Sequence, residues 1–514
     1  MANICSKLKN DKLFWITIII FIFAFFIFRP YFMQERGLLY VGDDESYFAH
    51  ATSLAYFQFP NYTKEYFSVG GQYPMHSIGP GIMAFPFVFS FSLIDRLQGS
   101  SIVEKRDISN IIDSWTLFGF MISTIFYFYF GVVLLFKALK FYFDERISFY
   151  SILFMILFQF FPLYVFRRPM LSNIFEFFLQ AALIYILLKD TKTKYLDNIR
   201  WWFLVLIGLI IGLITLVRYN NVFFSLLWPI VIFCLRDTGF NLKKYYKKLV
   251  IIYSTAFVLI FFFKLLLNII YGYEAYITGG LAGIFRFEGI VFYLKYLVNI
   301  FIGLDWGLIF TAPFLVFSFF YSFIAKYNLK KQILIILIPV IVNFYAYFQG
   351  LGGWYGYRLI FFSIAPILIV PFADFLQKSL NKNWLKPLLI ILAIISIYPI
   401  FSMLSYEGVV KMSECGYNSK IVNIYHLDIW KTFFNTPKTF IINLLKGGLL
   451  YIIYLAAQLF NLNKFLPAIV IEKYPVFNIR IFIKTIIIYI FPFVLYFLYI
   501  LIAQLKNKKL SKIT

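Results

Sequence analysis

Val41-Gly42-Asp43-Asp44-Glu45-Ser46-Tyr47 is the stretch on which the reading of this chain turns. It closely follows the first apolar segment and sets three carboxylates side by side in a chain that is 62% hydrophobic and holds 24 Asp and Glu. Charge packed that densely into so apolar a sequence needs a reason. Further on, Tyr73-Pro74-Met75-His76-Ser77-Ile78-Gly79-Pro80-Gly81 carries prolines and glycines that oppose a regular helix and suit a tight, shaped loop beside the acidic cluster. Loop and cluster together form the candidate site.

Outward from that stretch, 23% aromatic side chains over 514 residues and a mean hydropathy of +0.81 exceed the apolar share of a soluble domain and require many bilayer spans. The net charge of +23 is interleaved between apolar segments and does not gather into one patch with stacking aromatics. It therefore encodes topology, and nucleic acid is excluded as a partner. Cys5, Cys234 and Cys415 stand singly, which gives neither a metal pattern nor a disulfide framework. The first apolar segment, Leu13 to Phe28, runs into Arg29-Pro30 without a small-residue cleavage site, so it reads as an uncleaved span.

Apolar runs long enough to cross a bilayer lie near 13–33, 114–136, 147–166, 173–188, 201–217, 221–235, 249–270, 306–325, 332–348, 359–377, 387–404 and 482–503. The expected fold class is an all-α polytopic integral membrane protein of about 12 transmembrane helices, within a range of 11–13, with juxtamembrane helices in a long first external loop. Two runs are ambiguous: Ile82 to Leu97 is short and holds Pro86, and Phe440 to Phe460 contains Lys446-Gly447-Gly448. With Ile82 to Leu97 lying in the interface, the short connections on one side hold 21 Lys and Arg against 6 on the other, and the richer side is cytoplasmic. Residues 34–112 are then one external loop, with a helical stretch from Ser46 to Tyr56, and 405–480 form an external or interfacial segment of uncertain side. Residues 1–514 show no internal repeat or low-complexity linker and read as one membrane domain.

The outer connections collect the polar and conformationally special residues: Arg167-Arg168-Pro169, Arg218-Tyr219-Asn220-Asn221, the glycine-rich 271–305 region, and Gly352-Gly353-Trp354-Tyr355-Gly356-Tyr357-Arg358. An acidic pair opening the first external loop, the Pro/Gly turn His76 to Gly81, the Asp305-Trp306-Gly307-Leu308 entry into a span, and the Gly352 to Arg358 entry occur in this order and on one side. In that arrangement the chain resembles the GT-C superfamily of polyprenyl-phosphate-sugar-dependent glycosyltransferases, whose relatives include protein O-mannosyltransferases and lipid A aminoarabinose transferases. The resemblance covers the chain to about residue 377 and departs from the pattern at the second external loop, where Arg167 to Asn173 holds no carboxylate and Glu176 sits a turn further in.

The resemblance implies an inverting glycosyltransferase of the cell envelope that moves a sugar from a polyprenyl-phosphate donor to an acceptor hydroxyl of a lipid, glycan or protein. It implies work at the external or periplasmic face of the plasma or inner membrane. Such chemistry needs a carboxylate as general base and cations to hold the departing phosphate. Asp43 and Asp44 are the catalytic candidates; helical spacing sets Asp43 and Tyr47 to one side and turns Asp44 away, which favours Asp43 as base. Arg358, Arg218, Lys264, Arg286, Lys295 and Tyr357 are the candidates for the phosphate, and Glu45, Tyr47, His76 and Trp354 for the surrounding loop. His50, His76 and His426 lack metal-ligand spacing, so no metal site and no certain cofactor is assigned, with a divalent metal left open. The plain readings stand beside these: a solvated acidic loop, interfacial anchoring for Arg218 and Arg358, and snorkelling for Lys264. The alternative functions are a transporter or flippase of lipid-linked saccharides, which should show a two-fold repeat, or a polymerase, which should carry paired Arg-rich loops late in the chain.

The topology makes a direct prediction: a cysteine placed at Lys105 is labelled by a membrane-impermeant thiol reagent from outside the cell. Labelling only after the cytoplasmic side is opened would remove the external placement of 34–112.

Overall fold

The computed structural model of the chain describes residues 43–60, 74, 76–100, 114–157, 161, 164–165, 169–234, 242–271, 301, 308, 312–326, 329–337, 358–380 and 386–393. The chain divides into two compact units, Gly37–Ser402 with Val410–Phe440, and Met1–Arg36 with Met403–Val409 and Ile441–Thr514. Every described residue belongs to the first unit. The described residues are helical, with no strand among them. The expected spans at 13–33 and 482–503, and the segment 405–480, lie outside the described residues.

The helices used below are α1 (Asp43–Ala55), α2 (Gly79–Leu97), α3 (Trp115–Leu139), α4 (Glu145–Leu157), α5 (Asn173–Thr193), α6 (Trp201–Val217), α7 (Val222–Cys234), α8 (Leu242–Tyr271), α9 (Pro313–Ile324) and α10 (Arg358–Leu380). A 3₁₀ turn, Tyr219–Asn221, joins α6 to α7. Among the described residues four stretches are long and apolar enough to cross a membrane: Gly79–Leu97, Trp115–Leu139, Lys243–Leu266 and Phe362–Leu380. Pro86, Pro229, Pro366 and Pro371 sit inside helices. Packing against neighbours tolerates such prolines, and at Pro86 the carbonyl accepts a bond from Ser90 Oγ at 2.8 Å.

The bundle has two chemically distinct ends. At one, Tyr142 donates to Thr191 at 2.8 Å, Lys192 lies over the Tyr142 ring, and Lys248 donates to the carbonyls of Leu196 and Asp197. The termini of α3, α5 and α8 that meet there carry the lysines of the basic connections. At the other end, Thr124 of α3 donates to the Pro169 carbonyl at 2.6 Å, Asn221 reaches Glu176 of α5, and Lys264 of α8 lies 4.6 Å from the Tyr219 ring centroid. The first turn of α1 and the start of α2 join this second end. Seventeen residues of α6 at 1.5 Å each separate the two levels by about 25 Å, close to the thickness of a hydrocarbon core.

α2 covers the run Ile82 to Leu97 that the sequence leaves ambiguous. It packs antiparallel along α3: Tyr127 donates to the Met83 carbonyl, Phe87 meets Phe126, Phe91 stacks on Trp115, and Asp95 bonds Thr116. A helix in register with its neighbour over three turns stands along α3 and does not lie flat across its end. The reason is chemical. The buried Asp95 carboxylate accepts from the Trp115 and Thr116 backbone N–H groups at 3.0 and 2.7 Å and caps the α3 N-terminus, while Ser114 Oγ accepts from Leu117 N–H at 3.1 Å. Tyr56 bonds the Thr116 hydroxyl and Arg96 donates to the Ala55 carbonyl, which fixes the far end of α1 to the same point.

The near ends of α1 and α2 are set by glycine. A Cβ on Gly81 would lie 2.5 Å from the His50 Cβ, and one on Gly79 only 2.3 Å from the Val217 backbone nitrogen. Ser77 then donates to the Val217 carbonyl at 2.7 Å, satisfying the last turn of α6. Pro80 lies in the first turn of α2, where its missing N–H costs nothing. Gly81→Ala is expected to lower the melting temperature of the detergent-solubilised protein, at a cost of about 1–3 kcal/mol from the enforced separation of two helix backbones. An unchanged melting curve would show that α1 and α2 part freely.

Candidate active site

The three carboxylates form the first turn of α1, where the sequence reading began its helix only at Ser46. Acidic side chains are favoured at that position by the unpaired backbone N–H groups and the positive end of the helix dipole. The helical start separates the two aspartates. Asp44 faces inward and is 1% exposed, while the Asp43 side chain keeps 31% of its surface. Of the two aspartates, Asp43 is the one open to solvent.

Its partner is His76. The Nε2 atom lies 2.8 Å from Asp43 Oδ1, and the Nδ1 atom lies 2.9 Å from Ser46 Oγ. Asp43 and Ser46 are three residues apart, so they share a face of α1 and clasp one imidazole between them. Tyr47 packs against His76 in a T-shaped pair with ring centroids 5.8 Å apart, and its hydroxyl donates to Ser172 Oγ at 3.3 Å. Beneath the loop, buried His50 bonds the His76 carbonyl through Nε2 at 2.9 Å. That carbonyl accepts, so His50 carries its proton on Nε2. Enclosure outweighs this bond and holds the His50 pKa down at about 4, from 6.5, so the ring is neutral.

The second layer centres on Glu176, which is fully buried at the start of α5. Arg218 Nη1 approaches Oε2 at 3.0 Å off the line of an N–H, Asn221 donates to Oε1 at 2.7 Å, and the Ser363 hydroxyl donates to Oε1 as well. Arg218 Nε also donates to Ser172 Oγ at 3.2 Å, the atom that Tyr47 reaches from α1. One carboxylate thus joins α5, the α6–α7 turn and α10, and through Ser172 the Tyr47 face of α1. Glu176, a turn inside α5 from the carboxylate-free stretch Arg167 to Asn173, is enclosed by these partners and braces the site from within. Arg218 is bound up in the same network.

Lys264 is half-buried over Tyr219 at this level, and Glu45 is partly exposed beside the pair of aspartates. Arg358 opens α10, five residues before Ser363. Arg286, Lys295, Trp354 and Tyr357 lie outside the described residues. The structure therefore gathers Asp43, Asp44, Glu45, Tyr47, His76, Arg218 and Lys264 at one end of the bundle, together with the start of α10. It adds Ser46, Ser172, Glu176 and Ser363, which the sequence reading did not place in the site. Ser46 was legible, because a helix begun at Asp43 sets the two side chains on one face. Ser172 and Ser363 carry no local signal. Among the described residues no three His, Cys, Asp or Glu side chains converge as a metal site would need.

Compared with known protein families and with curated proteins, the chain finds no match. Among solved structures it is similar to the apo crystal structure of the Archaeoglobus fulgidus oligosaccharyltransferase, at 12% identity and a TM-score of 0.38 over 84% of this chain. The matched region spans 59% of that protein's length. The functional reading below rests on the site itself.

Because the folded state holds His50 neutral at a pKa of about 4 while the unfolded chain protonates it near 6.5, its contribution to stability is complete above pH 6.5 and is lost as pH falls toward 4. At about 1.4 kcal/mol for each tenfold change in proton affinity, the loss over that window is about 3 kcal/mol. His50→Gln, which keeps a donor but cannot titrate, is expected to flatten the decline of melting temperature between pH 6.5 and 4. A decline of wild-type steepness in that variant would assign the acid sensitivity elsewhere.

Proposed function

We propose that the protein is a membrane glycosyltransferase that moves a sugar from a polyprenyl-phosphate carrier to an acceptor hydroxyl at the external face of the cell membrane. The observation that carries this reading is the half-exposed Asp43 carboxylate, braced by His76 on the first turn of α1 at the end of the bundle where Lys264 and the start of α10 also lie. A carboxylate and cations at one membrane-proximal level are what this transfer requires. With Ile82 to Leu97 not crossing the bilayer, the 21 to 6 distribution of Lys and Arg supports the external placement.

In this mechanism the acceptor hydroxyl gives its proton to Asp43 as its oxygen bonds to the anomeric carbon. The bond from that carbon to the phosphate oxygen breaks on the opposite face and inverts the configuration. The phosphate leaves with the electron pair, and its growing charge is met by the guanidinium of Arg358 and the ammonium of Lys264. Arg286, Lys295, Tyr357 and Trp354 are assigned to the same donor pocket from the loops. Arg218 acts at one remove, because its guanidinium is engaged by Glu176 and Ser172. Asp44, buried behind Asp43, shapes the turn without receiving the proton. The acceptor is a lipid, a glycan or a protein, and the whole chain 1–514 works as one membrane enzyme.

With the purified protein and a polyprenyl-phosphate hexose as donor, Asp43→Asn is expected to lower transfer by about 10² to 10⁴ while leaving the melting temperature near wild type. Asp44→Asn should lower it less. Arg358→Lys keeps the charge but loses the two-pronged donor, so the donor KM should rise. Full activity in Asp43→Asn would reject this assignment of the base.

A further inference from the structure

The line Ser46, His76, Asp43 has the composition of a nucleophilic triad, and the first question is which end of it does chemistry. In such a triad the hydroxyl faces the substrate and the carboxylate is buried behind the imidazole. Here the gradient is reversed. Ser46 is 6% exposed, while the His76 and Asp43 side chains keep 32% and 31% of their surface. The buried hydroxyl cannot attack an external substrate; the exposed carboxylate can receive one.

We propose that His76 is the positioning residue of Asp43, holding the carboxylate through an Nε2–H donor whose tautomer is fixed by the buried hydroxyl of Ser46. The inference rests on the reading of Asp43 as the general base. The geometry supplies each link. Asp43 accepts at 2.8 Å, which requires the proton on Nε2, and the opposite ring nitrogen then accepts from Ser46 Oγ at 2.9 Å. Ser46 is anchored in α1 and cannot follow the ring if it turns. The His76 backbone is held from below by His50 Nε2 on the His76 carbonyl, and its ring is packed in a T-shaped pair with Tyr47. Both the donor atom and its direction are therefore set before substrate arrives. This matters because Asp43 lies in the first turn of a helix with a short side chain that has several rotamers, and a general base displaced by about 1 Å loses about 10² in rate.

The reading also explains the spelling of the loop. His76 reaches Asp43 only because Ser77 ties the next residue to the end of α6 and because Gly79 and Gly81 let α2 start against Val217 and His50. A loop without those glycines would carry the imidazole away from α1.

The first test does not depend on substrate. The chain holds 3 histidines, so nitrogen-15 labelled histidine in the full-length protein gives few ring signals, and the His76→Gln variant identifies the one of interest. In magic-angle-spinning spectra of the neutral ring, the proton of His76 is expected on Nε2 alone, and Ser46→Ala is expected to give a mixture of tautomers. A proton on Nδ1, or a tautomer unmoved by Ser46→Ala, overturns the proposal. The second test uses transfer from a polyprenyl-phosphate hexose: His76→Ala should lower kcat about 10²-fold with the donor KM unchanged, and His76→Gln, whose amide can donate to Asp43, should recover most of it. An inactive Asp43→Asn beside an unimpaired His76→Ala overturns the positioning role alone. A fully active Asp43→Asn overturns the base assignment and the positioning role with it.

Discussion

A carboxyl group with no exposed surface, at the end of an apolar bundle, must find polar partners to offset its lost hydration, and Glu176 imposes that demand on everything around it. Its partners come from three separate parts of the chain: Arg218 and Asn221 from the turn after α6, Ser363 from α10, and its own helix α5. Removing one partner of such a group typically costs about 3–5 kcal/mol, so the arrangement is held as a unit. Arg218 passes the constraint on to Ser172, and Ser172 to Tyr47 on α1. The acidic turn is thereby registered against α10.

A second clamp acts from the opposite end of α1. Asp95 caps α3, Tyr56 bonds Thr116, and Arg96 closes the Ala55 carbonyl. With both ends tied, α1 has little freedom to slide or turn, and Asp43 keeps its place relative to His76. The site is thus built on helices and short bonded turns, which hold its side chains in defined positions.

The same physics accounts for how α1 and α2 pack. Two helices approach closely only where one lacks a side chain, and Gly81 supplies that position opposite His50. Close approach buries His50, burial keeps its ring neutral, and the neutral ring holds the loop that carries His76. One glycine therefore has consequences for packing, for protonation and for the site.

Much of this was legible in the residues alone. Runs such as 114–136 and 201–217 are apolar enough to read as membrane helices, because the bilayer demands long segments that satisfy their own backbones. The acidic triplet and the His76 to Gly81 turn announced themselves by being improbable in so apolar a chain. Local spacing also separated Asp43 from Asp44, since successive residues on a helix point about 100° apart. Tertiary structure alone decided the rest. It set α2 antiparallel along α3, because the need of Asp95 and the α3 N-terminus for each other acts across about 20 residues of chain. It gave Arg218 to Glu176, and it chose His76 as the partner of Asp43 and Ser46. Those pairings join residues 30 or more positions apart, and sequence spacing carries no information about which distant polar groups will share one desolvated place.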